Sequence, residues 1–335
     1  CLGVAIGVMG LAIGMIPIGA IFQFDPDEGI QLAKATLYQQ GFELYTEIWS
    51  DHPPLYTVIL SFWLSLWGQA ITAARLLTTS FSVVLLCALG WCIQITAGRW
   101  AAILAMIGLA SSSYFGQLSV SVMIGIPMMA FAVLAIACLL QFEQSARSGW
   151  LAASAIGFAA ALQIKLIPIF LLPLVSLYLL TIPVTSPVSA SIQWSQRLNF
   201  QVQTLLDQYA LPNVANAQLK SCFNWLRQRN WGVLITWLGL MSFASVVIFV
   251  LTAPPSLQQV LQPHLEPSLR QAFDWEEGIA KMLDPFALDY DLVVWAIFGI
   301  VVLAVQKRWR HLGLWWFITI IPLLIYHQPF WYHYH

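Results

Sequence analysis

Long apolar runs dominate this sequence, and they leave few folds open to it. Hydrophobic residues make up 59% of the 335 residues and charged residues only 9%, whereas soluble proteins are roughly 25% charged. Runs of about 20 apolar residues recur along nearly the whole chain, and such a run crosses a bilayer as a helix. The pattern predicts an all-α, polytopic transmembrane helical bundle that forms one membrane-embedded domain over residues 1–335.

Several classes of function are disfavoured by the composition and by missing motifs. The net charge is −1 and no basic stripe interleaved with aromatic residues is present, so nucleic acid is not an expected partner. The five cysteines form no C-x-x-C pair, and no Walker loop, G-x-G-x-x-G or G-x-S-x-G motif occurs, which disfavours soluble nucleotide chemistry. Because the sequence starts with Cys1 and stops in an aromatic cluster, we expect it to be trimmed at both ends.

The apolar runs predict where the chain crosses the membrane. The run at 151–182 is longer than one crossing needs and is interrupted by Pro168 and Pro173, so we expect either a kinked helix or a short hairpin. The predicted crossing segments lie at about 1–22, 54–67, 75–96, 100–117, 122–142, 151–182, 231–252, 292–305 and 312–326.

Charge bias predicts the side on which each loop lies. The segment 183–230 carries four basic residues against one acid, which favours the cytoplasmic face. The acidic segments 24–53 and 254–291 are then extracytoplasmic, as is the C-terminal cluster that follows the last crossing. The number of crossings between residues 54 and 183 must be odd. Five single helices satisfy this condition, whereas a hairpin at 151–182 requires that one earlier segment does not cross.

The first loop, at 24–53, concentrates the charge of this poorly charged chain. Six acids lie there beside one lysine and one histidine, with Asp27-Glu28 at one end and Asp51-His52 at the other, directly before Pro53-Pro54. Carboxylates that face one pocket can take a proton from a hydroxyl nucleophile or hold a divalent cation. The alternative is that these acids are solvated and only keep the loop out of the membrane.

The residues of this loop resemble a known family. The resemblance is to the dolichyl-phosphate-mannose protein mannosyltransferases and their bacterial relatives, which include lipid A aminoarabinose transferases. These are GT-C glycosyltransferases that move a sugar from a polyprenyl phosphate to an extracytoplasmic acceptor. The resemblance rests on D-E-G at 27–29, Ala33, Gly41, Tyr45, H-P-P-L at 52–55 and A-A-R-L-L at 73–77.

The resemblance implies roles for particular side chains. Asp27, with Glu28, falls on the family's catalytic acidic pair, and Asp51-His52 on the pair that binds the donor phosphate or a cation. Asp27 and Asp51 are the candidate ligands if a divalent cation (Mg, Mn or Zn) is required. The stretch SVSVMIGIPMMAF around Gly125 lacks an acid that many relatives carry there.

Three further features are candidates outside the first loop. Lys165 is the one charge in a long apolar stretch, where an ionisable group suggests function. It either binds the lipid phosphate or snorkels to the interface. Arg75 either contacts headgroups or anchors a helix at its cytoplasmic end. His327 and His333, in HQPFWYHYH, either form a wall of the site or a metal site, or belong to an interfacial aromatic belt.

The sequence therefore predicts a polyprenyl-phosphate-sugar-dependent glycosyltransferase, transferring a hexosyl or pentosyl group to a protein, lipid or polysaccharide. It is expected in the plasma (inner) membrane, with its active site on the extracytoplasmic face. The alternative is a polytopic transporter or lipid flippase, in which Lys165 and the loop acids line a path across the bilayer.

Overall fold

A computed structural model describes residues 27–182, 193–209, 229–252 and 259–260, together with four N-terminal glycines. The predicted crossings at 1–22, 292–305 and 312–326, most of the loops at 183–230 and 254–291, and the terminal histidines lie outside these residues. Over the described ranges the chain is helical and forms no strand, so the predicted all-α class is confirmed. The helices are α1 Asp27–Gln39, α2 Leu55–Trp67, α3 Ile71–Ala97, α4 Arg99–Ser111, α5 Ser113–Val120, α6 Gly125–Ser145, α7 Ser148–Leu162, a 3₁₀ helix Ile167–Leu171, α8 Leu172–Thr181, α9 Gln193–Tyr209 and α10 Trp231–Thr252.

Three of the described helices, α3, α6 and α10, are long and apolar enough to cross a membrane by themselves. The chain is therefore an integral membrane protein. The described helices meet at two ends of a bundle. We call one the acidic end, because Asp27 and Asp51 lie there, and the other the basic end, because Arg99, Arg147 and Arg229 flank the helix termini there.

The helix α2 does not cross the membrane, contrary to the prediction from its apolar sequence. The chain reverses at Gly68, whose φ of 86° suits glycine, and α2 then pairs with the first turns of α3. The Trp63 indole N–H donates to the carbonyl of Ala73 at 2.7 Å. The helix α2 therefore stays at the acidic end.

The run at 151–182 forms a reversal rather than one kinked helix. The helix α7 starts beside Arg147 at the basic end and finishes at the acidic end, where the carbonyl of Gln163 accepts from the N–H of Leu55 at 3.0 Å. The chain then returns through the 3₁₀ helix and α8, and the Tyr178 hydroxyl donates to Glu143, near the end of α6 at the basic end.

With α2 not crossing and the run at 151–182 forming a hairpin, the number of passes between the two ends of the bundle is still odd. The chain passes between the two ends five times from residue 71 to residue 182, through α3, α4 with α5, α6, α7, and the 3₁₀ helix with α8. Because the hairpin adds one pass and α2 removes one, residues 40–54 and residue 182 lie at opposite ends of the bundle.

Small residues allow α6 and α7 to pack closely. A Cβ atom on Gly157 would lie 3.4 Å from the Cβ of Ala135 and 3.5 Å from the carbonyl oxygen of Phe131. Close approach of this kind is how helices associate inside a bilayer, where lipid offers no hydrophobic drive. On the other side of α7, Phe158 packs edge-on against Trp237 of α10, and both are fully buried.

The α6–α7 contact can be tested by enlarging one glycine. Gly157→Leu should destabilise the protein by about 1–3 kcal/mol, because the added side chain overpacks the interface. Gly149→Leu is the matched control, since a Cβ at that position in the same helix meets nothing within 4 Å. Thermal unfolding of the detergent-purified variants measures the difference. Equal melting temperatures for the two variants would contradict the described packing.

Candidate active site

The site is built on a buried ion pair between α1 and α3. Arg75 donates through Nε to Glu28 Oε1 at 3.1 Å and through Nη2 to Oε2 at 2.8 Å, and both side chains are almost completely buried. The backbone N–H of Val122, in the turn between α5 and α6, donates to Glu28 Oε1 at 2.9 Å. One carboxylate therefore joins three parts of the chain at the acidic end.

This ion pair corrects the predicted position of Arg75. The arginine neither contacts headgroups nor anchors a cytoplasmic helix end, because its side chain is enclosed and forms a two-point contact with Glu28. The earlier interpretation failed because it placed Arg75 after a crossing by α2. Since α2 does not cross, the start of α3 lies at the same end of the bundle as Asp27-Glu28.

A second ion pair joins α1 to the end of the first loop. Lys34 lies two turns after Asp27, and its ammonium is 3.2 Å from Asp51 Oδ1. The same ammonium lies 5.4 Å from the centre of the Trp49 ring. Lys34 was not among the predicted site residues. Its spacing of seven residues from Asp27 was the available signal, because residues i and i+7 share a helix face.

Lys165 connects the two ends of the first loop. It lies in the break between α7 and the 3₁₀ helix, and its ammonium interacts electrostatically with both Asp51 and Asp27. The structure therefore brings Asp27, Asp51 and Lys165 to one place. Glu28 lies beside them, facing Arg75, and Glu43 and Glu47 are exposed elsewhere in the loop. His327 and His333 lie outside the described residues.

His52 adds hydrogen-bonding capacity to this cluster rather than charge. Burial lowers its pKa to about 4, an effect that the Asp51 carboxylate opposes and the ammonium groups of Lys165 and Lys34 reinforce. The imidazole is therefore neutral at pH 7, although its Nδ1 lies 3.7 Å from Asp51 Oδ2. The positive partners of Asp51 are the lysines.

The first loop has a small core that fixes its course. Leu44, Tyr45 and Ile48 are buried and pack with Val260 from the segment after α10. Gln259 donates to the carbonyl of Tyr45 at 2.7 Å, and its side-chain oxygen accepts from the N–H of Ser50 at 3.3 Å. Burial, with a smaller contribution from the Asp51 charge, raises the pKa of Tyr45, so its hydroxyl stays protonated and donates to the carbonyl of His52 at 2.8 Å.

The donor set of this site does not fit a divalent cation. Over the described residues, no group of three His, Cys, Asp or Glu side chains is placed to hold a metal ion. The two candidate ligands, Asp27 and Asp51, both interact electrostatically with Lys165, and Asp51 also pairs with Lys34. Glu28 is paired with Arg75, so two of the three carboxylates of this site already have a cationic partner within 3.2 Å.

Comparison with known proteins supports the resemblance. Residues 51–200 match the family model described as dolichyl-phosphate-mannose-protein mannosyltransferase. The predicted family resemblance is confirmed. The predicted GT-C type of all-α membrane fold is confirmed with it, and the matched family suggests a membrane glycosyltransferase. Neither a search of curated proteins nor a search of solved structures gave a match.

The matched stretch contains only part of the site. Asp51, His52, Arg75 and Lys165 lie inside it, whereas all of α1 precedes it. Contacts with Glu28 and Lys34 attach α1 to the matched stretch through Arg75 and Asp51.

The buried ion pair predicts a specific loss of stability. Arg75→Met should cost about 3–5 kcal/mol, because it leaves the Glu28 carboxylate buried without a counter-charge. The double variant Arg75→Met with Glu28→Leu should regain part of this loss, but the Val122 N–H still lacks its acceptor. Arg99→Met, which removes an arginine stacked on the Trp100 ring, is the control. A melting temperature of Arg75→Met equal to that of the control would contradict the structure.

The neutral state of His52 predicts a pH dependence of stability. Between pH 6.5 and about 4, unfolded His52 takes up a proton that the folded protein excludes. The free energy of unfolding therefore falls as the pH decreases through this window. His52→Gln removes this contribution, so its stability should decrease less than that of the wild type between pH 7 and pH 4.5. Parallel pH profiles of thermal unfolding for the two proteins would contradict the assignment.

Proposed function

We propose that this protein transfers a monosaccharide from a polyprenyl-phosphate donor to an acceptor at the acidic end of the bundle. The observation that carries the proposal is the ion pair of Asp51 with Lys34 at 3.2 Å, beside Lys165, which interacts electrostatically with both Asp51 and Asp27, in a membrane protein that resembles the mannosyltransferase family. The polyprenyl chain stays in the bilayer, and the sugar and phosphate reach the site laterally.

The donor phosphate binds to the cationic side of the cluster. Lys165 and Lys34 are the two ammonium groups around Asp51, and charge-assisted hydrogen bonds to phosphate are stronger than neutral ones. Asp51 orients these ammonium groups before the donor arrives, and neutral His52 supplies a further N–H donor. The negative charge that develops on the leaving phosphate is thereby stabilised without a metal ion.

Asp27 acts on the acceptor. The acceptor hydroxyl oxygen forms a bond to the anomeric carbon while the bond from that carbon to the phosphate oxygen breaks. The hydroxyl proton passes to the Asp27 carboxylate, and the electron pair of the broken bond leaves with polyprenyl phosphate. Glycosyl transfer of this kind has oxocarbenium-like character, which a nearby carboxylate stabilises. Glu28, held by Arg75 and Val122, positions the start of α1 rather than contacting substrate.

Charge bias supports an extracytoplasmic site. The described cations away from the site, Arg99, Arg147, Arg197 and Arg229, lie on helices and turns of the basic end. Basic residues near helix ends favour the cytoplasmic side, so the acidic end faces outward. We place the protein in the plasma (inner) membrane, as one membrane-embedded domain that transfers a hexosyl or pentosyl group to a protein, lipid or polysaccharide.

The arrangement of charge disfavours the transporter alternative. Over residues 27–182, the ionisable acids, lysines and arginines lie at the two ends of the bundle. A translocation path would place such groups along the middle of the crossing helices.

The role of Asp27 can be tested by one isosteric change. Asp27→Asn should lower the rate of sugar transfer by about 10²–10⁴-fold, because the amide cannot take the acceptor proton. The Michaelis constant for the donor should change little, because the lysines that hold the phosphate remain. Transfer is measured with labelled polyprenyl-phosphate donor and membranes containing the protein.

Glu43→Gln is the matched control, since Glu43 is an exposed acid of the same loop. It should transfer sugar at the wild-type rate. Full activity of Asp27→Asn, or an equal loss in both variants, would contradict the assigned role of Asp27.

A further inference from the structure

Trp49 is exposed between two buried neighbours in the first loop. Its side chain is 61% accessible, whereas Ile48 before it and Ser50 after it are 4% and 2% accessible. The ring therefore offers an open aromatic face beside a buried stretch of backbone.

The ring of Trp49 is fixed next to the charged cluster. Lys34 places its ammonium 5.4 Å from the ring centre, a cation–π arrangement that attracts the cation to the ring. The same ammonium is 3.2 Å from Asp51 Oδ1. Because both distances start at one nitrogen, the ring centre and Asp51 Oδ1 lie within about 9 Å of each other.

The backbone on both sides of Trp49 is held in place. Ser50 donates its N–H to the side chain of Gln259, which also donates to the carbonyl of Tyr45. The Ser50 hydroxyl donates to the carbonyl of His52 at 3.1 Å. The ring is therefore presented at a defined position, so that a ligand binding to it pays little cost for ordering the protein.

An exposed tryptophan in a membrane protein is often part of an interfacial belt, and Trp100 fits that description. It is 67% exposed, and the guanidinium of Arg99 lies 5.2 Å from its ring at the basic end. Trp49 has a similar exposure and also lies next to a cationic side chain. It differs because its cation is also bound to Asp51, inside the cluster assigned to the donor phosphate.

We propose that Trp49 stacks against the sugar ring of the polyprenyl-phosphate donor and so positions the anomeric carbon, an inference that rests on the proposed function. A sugar ring has a face of C–H groups, and an aromatic face is electron-rich and attracts such groups. With the phosphate on Lys165 and Lys34, the sugar of the same donor reaches the neighbouring indole. Trp49 is thereby a positioning residue that recognises the sugar rather than the lipid.

The test compares a lipid that carries a sugar with one that does not. Binding of polyprenyl-phosphate monosaccharide and of sugar-free polyprenyl phosphate is measured for the wild type, Trp49→Ala, Trp49→Phe and the control Trp100→Ala. Trp49→Ala should bind the sugar-bearing lipid about tenfold more weakly and the sugar-free lipid as the wild type does. Trp49→Phe should regain most of the loss, and Trp100→Ala should bind both lipids normally.

Two results would overturn the inference. Equal weakening for both lipids would show that Trp49 contacts the lipid or the interface rather than the sugar, and unchanged binding would show that it contacts neither. The measurement is independent of turnover. A wild-type protein that transfers no sugar would therefore refute the proposed function, while the ratio of the two affinities still decides the role of Trp49.

Discussion

The buried ion pair between Glu28 and Arg75 is the interaction on which the rest of the acidic end depends. Removing two charges from water costs several kcal/mol per ion, and this cost is offset here by two hydrogen bonds within the pair and a third from Val122. A pair of hydrophobic residues would fill the space as well. What the ions add is geometry, because they fix α1 against α3 and against the α5–α6 turn. Asp27 and Lys34, which project from α1 toward the cluster, are placed by that contact.

The sequence was sufficient for the class of fold but not for the course of every segment. Long apolar runs predict helices in a membrane, and α3, α6 and α10 have the expected length. The segment at 55–67 is equally apolar, and with 13 residues it is close in length to α7, which has 15 and does pass between the two ends. The segment stays at the acidic end because the chain reverses at Gly68 and α2 pairs with α3, and both are tertiary features. The hairpin at 163–166 was one of two readings left open, and the interrupting prolines did not distinguish them.

At the site, the sequence shows which residues are charged but not which residues they pair with. The acids at the two ends of the first loop, and the isolated Lys165, stand out because they are rare charges among apolar residues. Their chemical roles remain proposals. The partners of those charges were not visible, because Glu28 and Arg75 are 47 positions apart and nothing in their spacing links them. Lys34 was counted only among the charges of the first loop, and only the fold shows that it is buried against Asp51. The neutral state of His52 likewise comes from burial, which a sequence does not display.

The central claim is that the lysines at the acidic end hold the phosphate of a polyprenyl-linked sugar while that sugar is transferred. The most direct measurement is the release of polyprenyl phosphate from a labelled polyprenyl-phosphate monosaccharide by the purified protein in liposomes, comparing the wild type with Lys165→Gln. We expect acceptor-dependent release by the wild type. For Lys165→Gln we expect a Michaelis constant for the donor raised roughly tenfold or more, because a charge-assisted contact worth about 1.5–3 kcal/mol is lost. Release by Lys165→Gln with wild-type kinetics, or no release by the wild type from any such donor, would contradict the central claim.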